Sequence, residues 1–241
     1  MKSNSHKQIA ARLAELQKDA AFQSSVGNIA PGKFERLNDN PDYVSRLRYT
    51  EVLREYVYDP ALMNLILTDP ALKMSFFRCF GYKGQMEFTI YPNAWIRDLP
   101  LLDIGKGAYL GDGIVLGTNQ VSIDQKFINV NTIKIGANTI FDQRGAVGYE
   151  TEIGSNCSLR FDVAIGIKCT IGDNTSVGEK SFIGHGTKIG SQVVVGQGCS
   201  IGNMCIIDDD ITLDLATTLP AFSHVSKEGI TNYRTEDEVS A

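Results

Sequence analysis

The sequence holds few residues of the kinds that usually carry chemistry. Histidine occurs three times and tryptophan once among 241 residues. No run of eighteen apolar residues exists, so no membrane-spanning helix is expected, and the first twenty residues lack the apolar core of a signal peptide. A net charge of −5 gives no support to a nucleic-acid or anionic-membrane partner. We therefore expect a cytoplasmic protein.

Five cysteines are present, and their positions favour packing over disulfides or metal. Four of them recur at one place of a six-residue repeat: Cys157, Cys169, Cys199 and Cys205. Serine, threonine or valine occupies that place in most other hexads, so small core residues in a reduced compartment are the simpler interpretation. The remaining one, Cys79, is isolated. No cluster with metal-ligand spacing appears, and no metal site is predicted.

The repeat dominates the second half of the chain. A large apolar residue stands at every sixth position, fourteen times in succession: Ile135, Phe141, Val147, Ile153, Leu159, Ile165, Ile171, Val177, Ile183, Ile189, Val195, Ile201, Ile207 and Leu213. Glycine follows in ten of the fourteen hexads, and a small or β-branched residue usually stands at the fifth place. A period of six fits neither a helix nor a single amphipathic strand.

A parallel β-helix satisfies this period, because three hexads make one triangular coil and successive coils stack at strand spacing. The first residue of each hexad would fill the interior, and the glycine would stand where the chain turns with unusual dihedral angles. Residues eighteen apart would lie one above another. The sequence thus predicts a mainly β protein of about six to seven coils, with an α-helical N-terminal region.

Segments such as IGSNCS, IGDNTS, IGHGTK and VGQGCS resemble the hexapeptide-repeat acyltransferases. The resemblance implies a left-handed β-helix, a homotrimer with clefts between subunits, and acyl-coenzyme A or an acyl carrier protein as co-substrate rather than a permanently bound cofactor. Carbonic anhydrases of similar fold need three histidines around zinc, whereas this repeat region holds one. A further likeness, in Leu219–Gly229, lacks the Gly-x-Pro-Ala that often follows in those enzymes, so their coenzyme A contacts are not carried over to this end.

Three parts follow along the chain. Residues 1–85 are predicted to be helical, with two Asp-Pro-Ala-Leu segments that each place an N-cap aspartate before a proline. Their apolar faces are typical of a helical cap on the β-helix or a subunit contact, and a membrane-surface face is the less favoured alternative. Residues 86–218 form the repeat, and residues 219–241 form an exit segment and a polar, acidic tail.

The repeat is interrupted at 117–134, where the next hexad comes nineteen residues after Leu116. This excursion is predicted to be a loop or a distorted coil. It is either a harmless insertion or, as in the resembled family, a cover over the acyl-donor groove. Asn119, Gln120 and Asp124 are its candidate binding residues, and Asn119 and Asp124 are alternative proton acceptors.

His185 is the candidate catalytic residue. It stands at the third place of its hexad, an outward corner, and the resembled enzymes that acylate sugar nucleotides carry Ile-small-His there, with the histidine as general base. An amine or hydroxyl attacking a thioester must lose a proton, which imidazole can accept near neutral pH. One coil on, Asn203 could orient the ring, whereas Ile167, one coil before, supplies no carboxylate. An exposed corner histidine without a role is the alternative.

Charged residues eighteen apart are expected to form columns of alternating sign. Asp142 would lie under Arg160, Glu150 under Lys168, and Arg144 under Asp162, which would lie under Lys180. Structural pairing is the favoured interpretation, and a donor-phosphate site built by Arg144 and Arg160 is the alternative.

These observations lead to one function with one rival. The first is an acyltransferase, in particular an acetyltransferase, acting on an amine or hydroxyl of a small-molecule acceptor, such as a sugar or an amino acid. The rival is a non-catalytic trimeric scaffold or binding protein whose helical N-terminus recruits partners.

Overall fold

The computed structural model describes residues 4–233, and the last part of the predicted acidic tail lies outside the described residues. The N-terminal region is helical, as predicted. Its five helices are α1 (Asn4–Lys18), α2 (Ala20–Gly27), α3 (Pro41–Val57), α4 (Pro60–Thr68) and α5 (Pro70–Cys79). Both Asp-Pro segments start helices, because the side chains of Asp59 and Asp69 accept hydrogen bonds from the backbone amides of Leu62 (3.0 Å) and Ala71 (2.8 Å).

Aromatic side chains fill the interior of this helical region. Eight of them are almost wholly buried before residue 90: Phe22, Tyr49, Tyr56, Phe76, Phe77, Phe80, Tyr82 and Phe88. Phe80 has four aromatic neighbours, with ring centroids 4.9–5.9 Å away and most pairs edge-on. Met63 and Ile66 of α4 and Leu72 of α5 are buried as well. The apolar faces of these two helices are therefore packed inside the protein rather than left to a membrane.

The repeat folds into a parallel β-helix with three faces. Face A consists of Leu102–Ile104, Ile133–Ile135, Thr151–Ile153, Thr170–Ile171, Lys188–Ile189, Ile206–Ile207 and Ser223–Ser226, with Gly229–Asn232 added antiparallel. Face B consists of Thr89–Ile90, Tyr109–Leu110, Ile140–Phe141, Ser158–Leu159, Ser176–Val177, Val194–Val195 and Thr212–Leu213. Face C consists of Val115–Gly117, Ala146–Gly148, Ala164–Ile165, Phe182–Ile183, Ser200–Ile201 and Thr218–Leu219.

The stack has about eight coils, slightly more than the six to seven predicted, and agrees with the expected left-handed form. It is longer at both ends than the clear hexads suggest. Thr89–Ile90 pairs with Tyr109–Leu110 at one end, and the exit strand Ser223–Ser226 pairs with Ile206–Ile207 at the other. The hexad pattern is weak in these two segments, although their backbones continue the stack.

The predicted register holds throughout the uninterrupted repeat. Leu159 pairs with Val177 and Ile165 with Ile183, eighteen residues apart. All fourteen hexad positions line the interior, and none is more than 6% exposed. The fifth place adds hydrogen bonds as well as small volume: the hydroxyl of Thr175 donates to Gly190 O (2.9 Å), and the thiol of Cys157 donates to Gly172 O (3.1 Å). Threonine, serine and cysteine there satisfy a buried carbonyl of the next coil, which valine cannot do.

The glycines of the hexads serve a different purpose from the one predicted. Positive φ angles fall at the fourth place, for example at Asn138 (φ 55°) and Asn174 (φ 57°), and not at the second-place glycines. At Gly184 an added Cβ would lie 2.5 Å from Gly202 C and 2.6 Å from Asn203 N of the next coil. Close approach of stacked backbones is what requires glycine at this place.

The excursion is a β-hairpin rather than a loop or a distorted coil. Ile104 pairs with Ile135 across it, thirty-one residues apart, which is thirteen more than one coil. Asn119–Val121 and Phe127–Val130 pair antiparallel, and Phe127–Val130 also pairs antiparallel with Gly32–Glu35. The inserted residues therefore bind the N-terminal region to the first coil.

Buried polar contacts complete this junction. Arg46 of α3 donates two hydrogen bonds to Asp98, with N–O distances of 2.5 and 2.6 Å, and both side chains are buried. Asp98 precedes a short 3-10 helix, Leu99–Leu101, and also accepts a hydrogen bond from Thr118 Oγ1 (2.5 Å). The ammonium of Lys73 donates to Met86 O (3.1 Å), and its partial burial lowers the pKa of Lys73.

Candidate functional site

His185 stands at the corner between faces C and A, directly after the strand Phe182–Ile183, and is exposed. Its Nδ1 accepts a hydrogen bond from the backbone amide of Ile167, one coil earlier (3.0 Å). Its own backbone amide donates to Asn203 Oδ1, one coil later (2.8 Å). Asn203 therefore holds the main chain at His185, whereas the predicted role was to orient the ring.

The contact at Nδ1 fixes the tautomer of the neutral imidazole. A nitrogen that accepts a hydrogen bond from an amide carries no proton, so the proton of the neutral ring is on Nε2. The ring thus presents an N–H donor at Nε2 and uses its lone pair at Nδ1 inside the corner. In this arrangement it can donate to a bound carbonyl oxygen, and it can take up a proton only after Nδ1 leaves the Ile167 amide.

The corner geometry of His185 recurs where no histidine is present. Asp173 Oδ1 accepts from the amide of Ser155 (2.6 Å), and Asp209 Oδ1 accepts from the amide of Ser191 (2.7 Å). These pairs are also eighteen residues apart and also join third places of hexads. His185 therefore caps a backbone amide just as aspartate and asparagine do at other corners, and this is a structural role in its own right.

The three candidates in the excursion lie apart from His185. Asn119 is half-buried, with its Nδ2 3.4 Å from Asp98 Oδ2. Gln120 is exposed on the same strand. Asp124 lies in the hairpin turn, where hydrogen bonds from the Ser122 hydroxyl and the Lys126 amide lower its pKa. The hairpin leaves the same edge of the prism as His185 but three coils earlier, a separation of roughly 14 Å at ordinary strand spacing.

Arg144 and Arg160 are exposed near the corner between faces B and C, which is a different edge from that of His185. The guanidinium of Arg144 lies 5.3 Å from the ring centroid of Phe161. Of the predicted charge pairs, Glu150–Lys168 forms at 3.9 Å, and Lys134–Glu152 forms an additional ion pair. Neither Arg144 nor Arg160 has an ion-pair partner within residues 4–233, so the predicted pairs Asp142–Arg160 and Arg144–Asp162 do not form.

A cationic cavity that the sequence did not predict lies between the helical region and the hairpin. It has a volume of about 400 Å³, and four arginines line it: Arg36, Arg46, Arg54 and Arg97. Two of them lie on one face of α3, eight residues apart. That spacing was readable from the sequence as a basic stripe. The other two come from segments that only the folded chain brings together.

Among residues 4–233, no group of three or more histidine, cysteine, aspartate or glutamate side chains is placed to hold a metal ion, and no helix is long and apolar enough to cross a membrane. All five cysteines are free and buried, and burial raises the pKa of the Cys157, Cys169 and Cys205 thiols.

Residues 174–209, which include His185, match the family model described as bacterial transferase hexapeptide (six repeats). A search of curated proteins finds no match.

Similar solved structures include the acetyltransferase domain of PglB from Neisseria gonorrhoeae FA1090, at 19% identity and TM-score 0.38, covering 60% of this chain and 57% of that one. LpxA from Bacteroides fragilis 9343, a UDP-N-acetylglucosamine acyltransferase, is 18% identical with TM-score 0.37, covering 63% and 60%. This chain thus spans 57–60% of the length of those two structures. The family match lies within the stacked hexads, so residues 174–209 of the β-helix are similar to bacterial hexapeptide transferases.

Proposed function

We propose that the protein is an acyltransferase that moves an acyl group, in particular acetyl, from coenzyme A or an acyl carrier protein to an amine or hydroxyl of a small molecule. The observation that carries the proposal is an exposed imidazole, His185, on a corner inside the segment that matches the transferase family model. The proposal includes a cytoplasmic homotrimer, in which a neighbouring subunit supplies the second wall of the acceptor cleft.

The chemistry requires a proton acceptor beside the attacking amine or hydroxyl. In the tautomer set by the Ile167 amide, Nε2 carries the proton, and the lone pair at Nδ1 accepts the hydrogen bond of that amide. We infer that the ring turns off this amide when the acceptor binds, which frees a nitrogen lone pair to accept the proton. Asn203 would hold the backbone in place during this movement through its bond to the His185 amide.

One observation favours the rival function, a non-catalytic trimeric scaffold or binding protein. The contacts of His185 repeat at the corners capped by Asp173 and Asp209. Capping of the Ile167 amide alone would account for an acceptor side chain at position 185. The two functions differ in whether the imidazole does anything that an amide oxygen cannot.

Two substitutions separate these functions. His185→Asn keeps an acceptor for the Ile167 amide, as Asn203 does one coil later, and His185→Ala removes it. If His185 takes the proton, both variants should lose about 100-fold or more of the turnover, measured as thiol release from acetyl-coenzyme A with a panel of amino sugars and amino acids. The melting temperature should fall in His185→Ala and stay close to wild type in His185→Asn.

The opposite pattern would support the scaffold. Equal turnover in wild type and His185→Asn means that the imidazole is not the proton acceptor. A wild-type protein whose melting temperature is unchanged by coenzyme A, acetyl-coenzyme A and phosphopantetheine would contradict the donor assignment, since a ligand that binds only the folded state must stabilise it. Light scattering tests the trimer against the monomer mass of 26.4 kDa.

A further inference from the structure

The cationic cavity lies at the junction of the helical region with the first coil, apart from His185. One wall is a face of α3, which contributes Arg46, Leu47 and Arg54. Ile128 of the hairpin, Arg36 and Arg97 come from the other elements around it. Its volume of about 400 Å³ lies within the range of pockets that hold small molecules.

The charge of the cavity is unbalanced. Arg46 is neutralised by its buried bidentate pair with Asp98. Arg36, Arg54 and Arg97 form no ion pair with any carboxylate of residues 4–233, and Glu51 is the single acidic residue of the lining. This concentration of positive charge occurs in a chain whose net charge is −5. Guanidinium groups that share a cavity repel one another unless an anion lies between them.

Aromatic rings hold two of these guanidinium groups by their faces. Arg97 lies 4.5 Å from the ring centroid of Trp95, and Arg54 lies 5.8 Å from that of Tyr58. The two rings stack on each other, with centroids 5.4 Å apart and planes 22° apart. A stacked guanidinium keeps its N–H donors at the edge, where they can bind an oxyanion in pairs.

Arg36 is held in a similar way on the other side. It donates to Gln125 O of the hairpin turn (3.0 Å), and its guanidinium lies 6.0 Å from the ring centroid of Tyr43. Its remaining donors have no partner among the described carboxylates. Three oriented guanidinium groups therefore line one cavity, and apolar side chains such as Leu47 and Ile128 line it between them.

We propose that this cavity binds a small organic phosphate, with the phosphate oxygens bound by Arg36, Arg54 and Arg97 and the organic part against Leu47 and Ile128. A phosphate group carries up to two charges and several acceptor oxygens, which suits several guanidinium forks better than a single carboxylate does. The proposal does not rest on the proposed acyl transfer at His185, although Asn119, a candidate residue of the excursion, also lines the cavity.

Calorimetric titration of the full chain with phenyl phosphate, inorganic phosphate, pyrophosphate and citrate tests the proposal. We expect phenyl phosphate and pyrophosphate to bind. Phenyl phosphate should bind more tightly than inorganic phosphate, and citrate should bind more weakly than both phenyl phosphate and inorganic phosphate. Arg54→Gln and Arg97→Gln should each weaken phenyl phosphate binding by about 10- to 100-fold, the equivalent of one charged hydrogen bond. Arg48→Gln is the matched control, since Arg48 is an exposed arginine of α3 outside the cavity.

The proposal is overturned if phenyl phosphate does not bind, or if it binds wild type, Arg54→Gln and Arg97→Gln equally. Equal affinity for phenyl phosphate and inorganic phosphate would show that the organic group adds nothing to binding. Citrate binding more tightly than phenyl phosphate would show that the arginines do not select phosphate. Circular dichroism and melting temperature establish that each variant is folded. Where Arg97→Gln fails to fold, Arg36→Gln replaces it, because Arg36 stacks on a different ring.

Discussion

The helical region and the β-helix of this molecule fill their interiors with different kinds of side chain. The helical region fills its interior with eight aromatic rings, most of them in contact edge to face. The β-helix fills its interior with columns of aliphatic side chains, each set by its place in the hexad. In the β-helix a residue's neighbours follow from its number, because they stand eighteen positions before and after it. In the helical region the contacts follow no repeat, and each ring packs against several others, so one substitution disturbs several neighbours at once.

The largest loss of stability is expected in the aromatic interior of the helical region. Phe80→Ala should lower the free energy of unfolding by about 3–5 kcal/mol, because the cavity lies among four aromatic rings that cannot collapse into it. Phe182→Ala is the matched control on the β-helix, since Phe182 is 45% exposed on face C. Its change should stay within about 0.5 kcal/mol. Urea denaturation measures both, and similar losses in the two variants would contradict the comparison.

The junction between the two regions should be nearly as sensitive. Asp98→Asn keeps a residue that tolerates the left-handed φ of 41° but leaves the buried guanidinium of Arg46 without its counter-charge. Removing one partner of a buried ion pair destabilises by about 3–5 kcal/mol. The double variant with Arg46→Met should lose less than Asp98→Asn alone, because no unpaired charge remains. Losses that simply add would show that the pair is not coupled.

A smaller effect is expected from alkaline pH, and it should originate in the helical region. Burial raises the pKa of the Cys79 thiol to about 11, whereas a thiol in the unfolded chain has a pKa near 9. Between these values the unfolded chain loses the proton and the folded chain keeps it, so stability is full below pH 9 and falls as pH rises to 11. Burial also raises the pKa of Tyr82 to about 12, which extends the loss.

Cys79→Ala checks this origin. From pH 9 to 11, its free energy of unfolding should fall less steeply than that of wild type, whatever the substitution does at pH 7. Guanidinium denaturation at three pH values measures the slope. Identical slopes in the two proteins would assign the alkaline loss to other groups.

The repeat could be predicted from the sequence in detail because its geometry is periodic. A residue every six positions specifies both the buried column and the strand register, and all fourteen positions lie where the period puts them. The reason for the glycines was wrong, since no spacing reveals how closely two coils approach. The hairpin was not predicted either, because its partner Gly32–Glu35 lies almost one hundred residues earlier in the chain.

The candidate site was predictable in position and not in chemistry. The hexad places His185 on an outward corner, and the structure has it exposed there. Which ring nitrogen carries the proton depends on the Ile167 amide, a contact between coils that the sequence pattern does not describe. The cationic cavity depends still more on tertiary structure, because Arg36 and Arg97 meet α3 only in the folded chain.

The corner bonds between third places also govern how the prism could change in length. At several corners a third-place side chain caps an amide of the preceding coil, as Asp173 caps Ser155 and Asp209 caps Ser191. Deleting three consecutive hexads would shorten the prism by about 4.8 Å and keep each later corner above a corner of the same edge. Deleting one hexad would move every later corner to a different edge of the prism, so that each capping side chain would no longer lie above the amide that it caps. Length can therefore vary in this molecule only in whole coils.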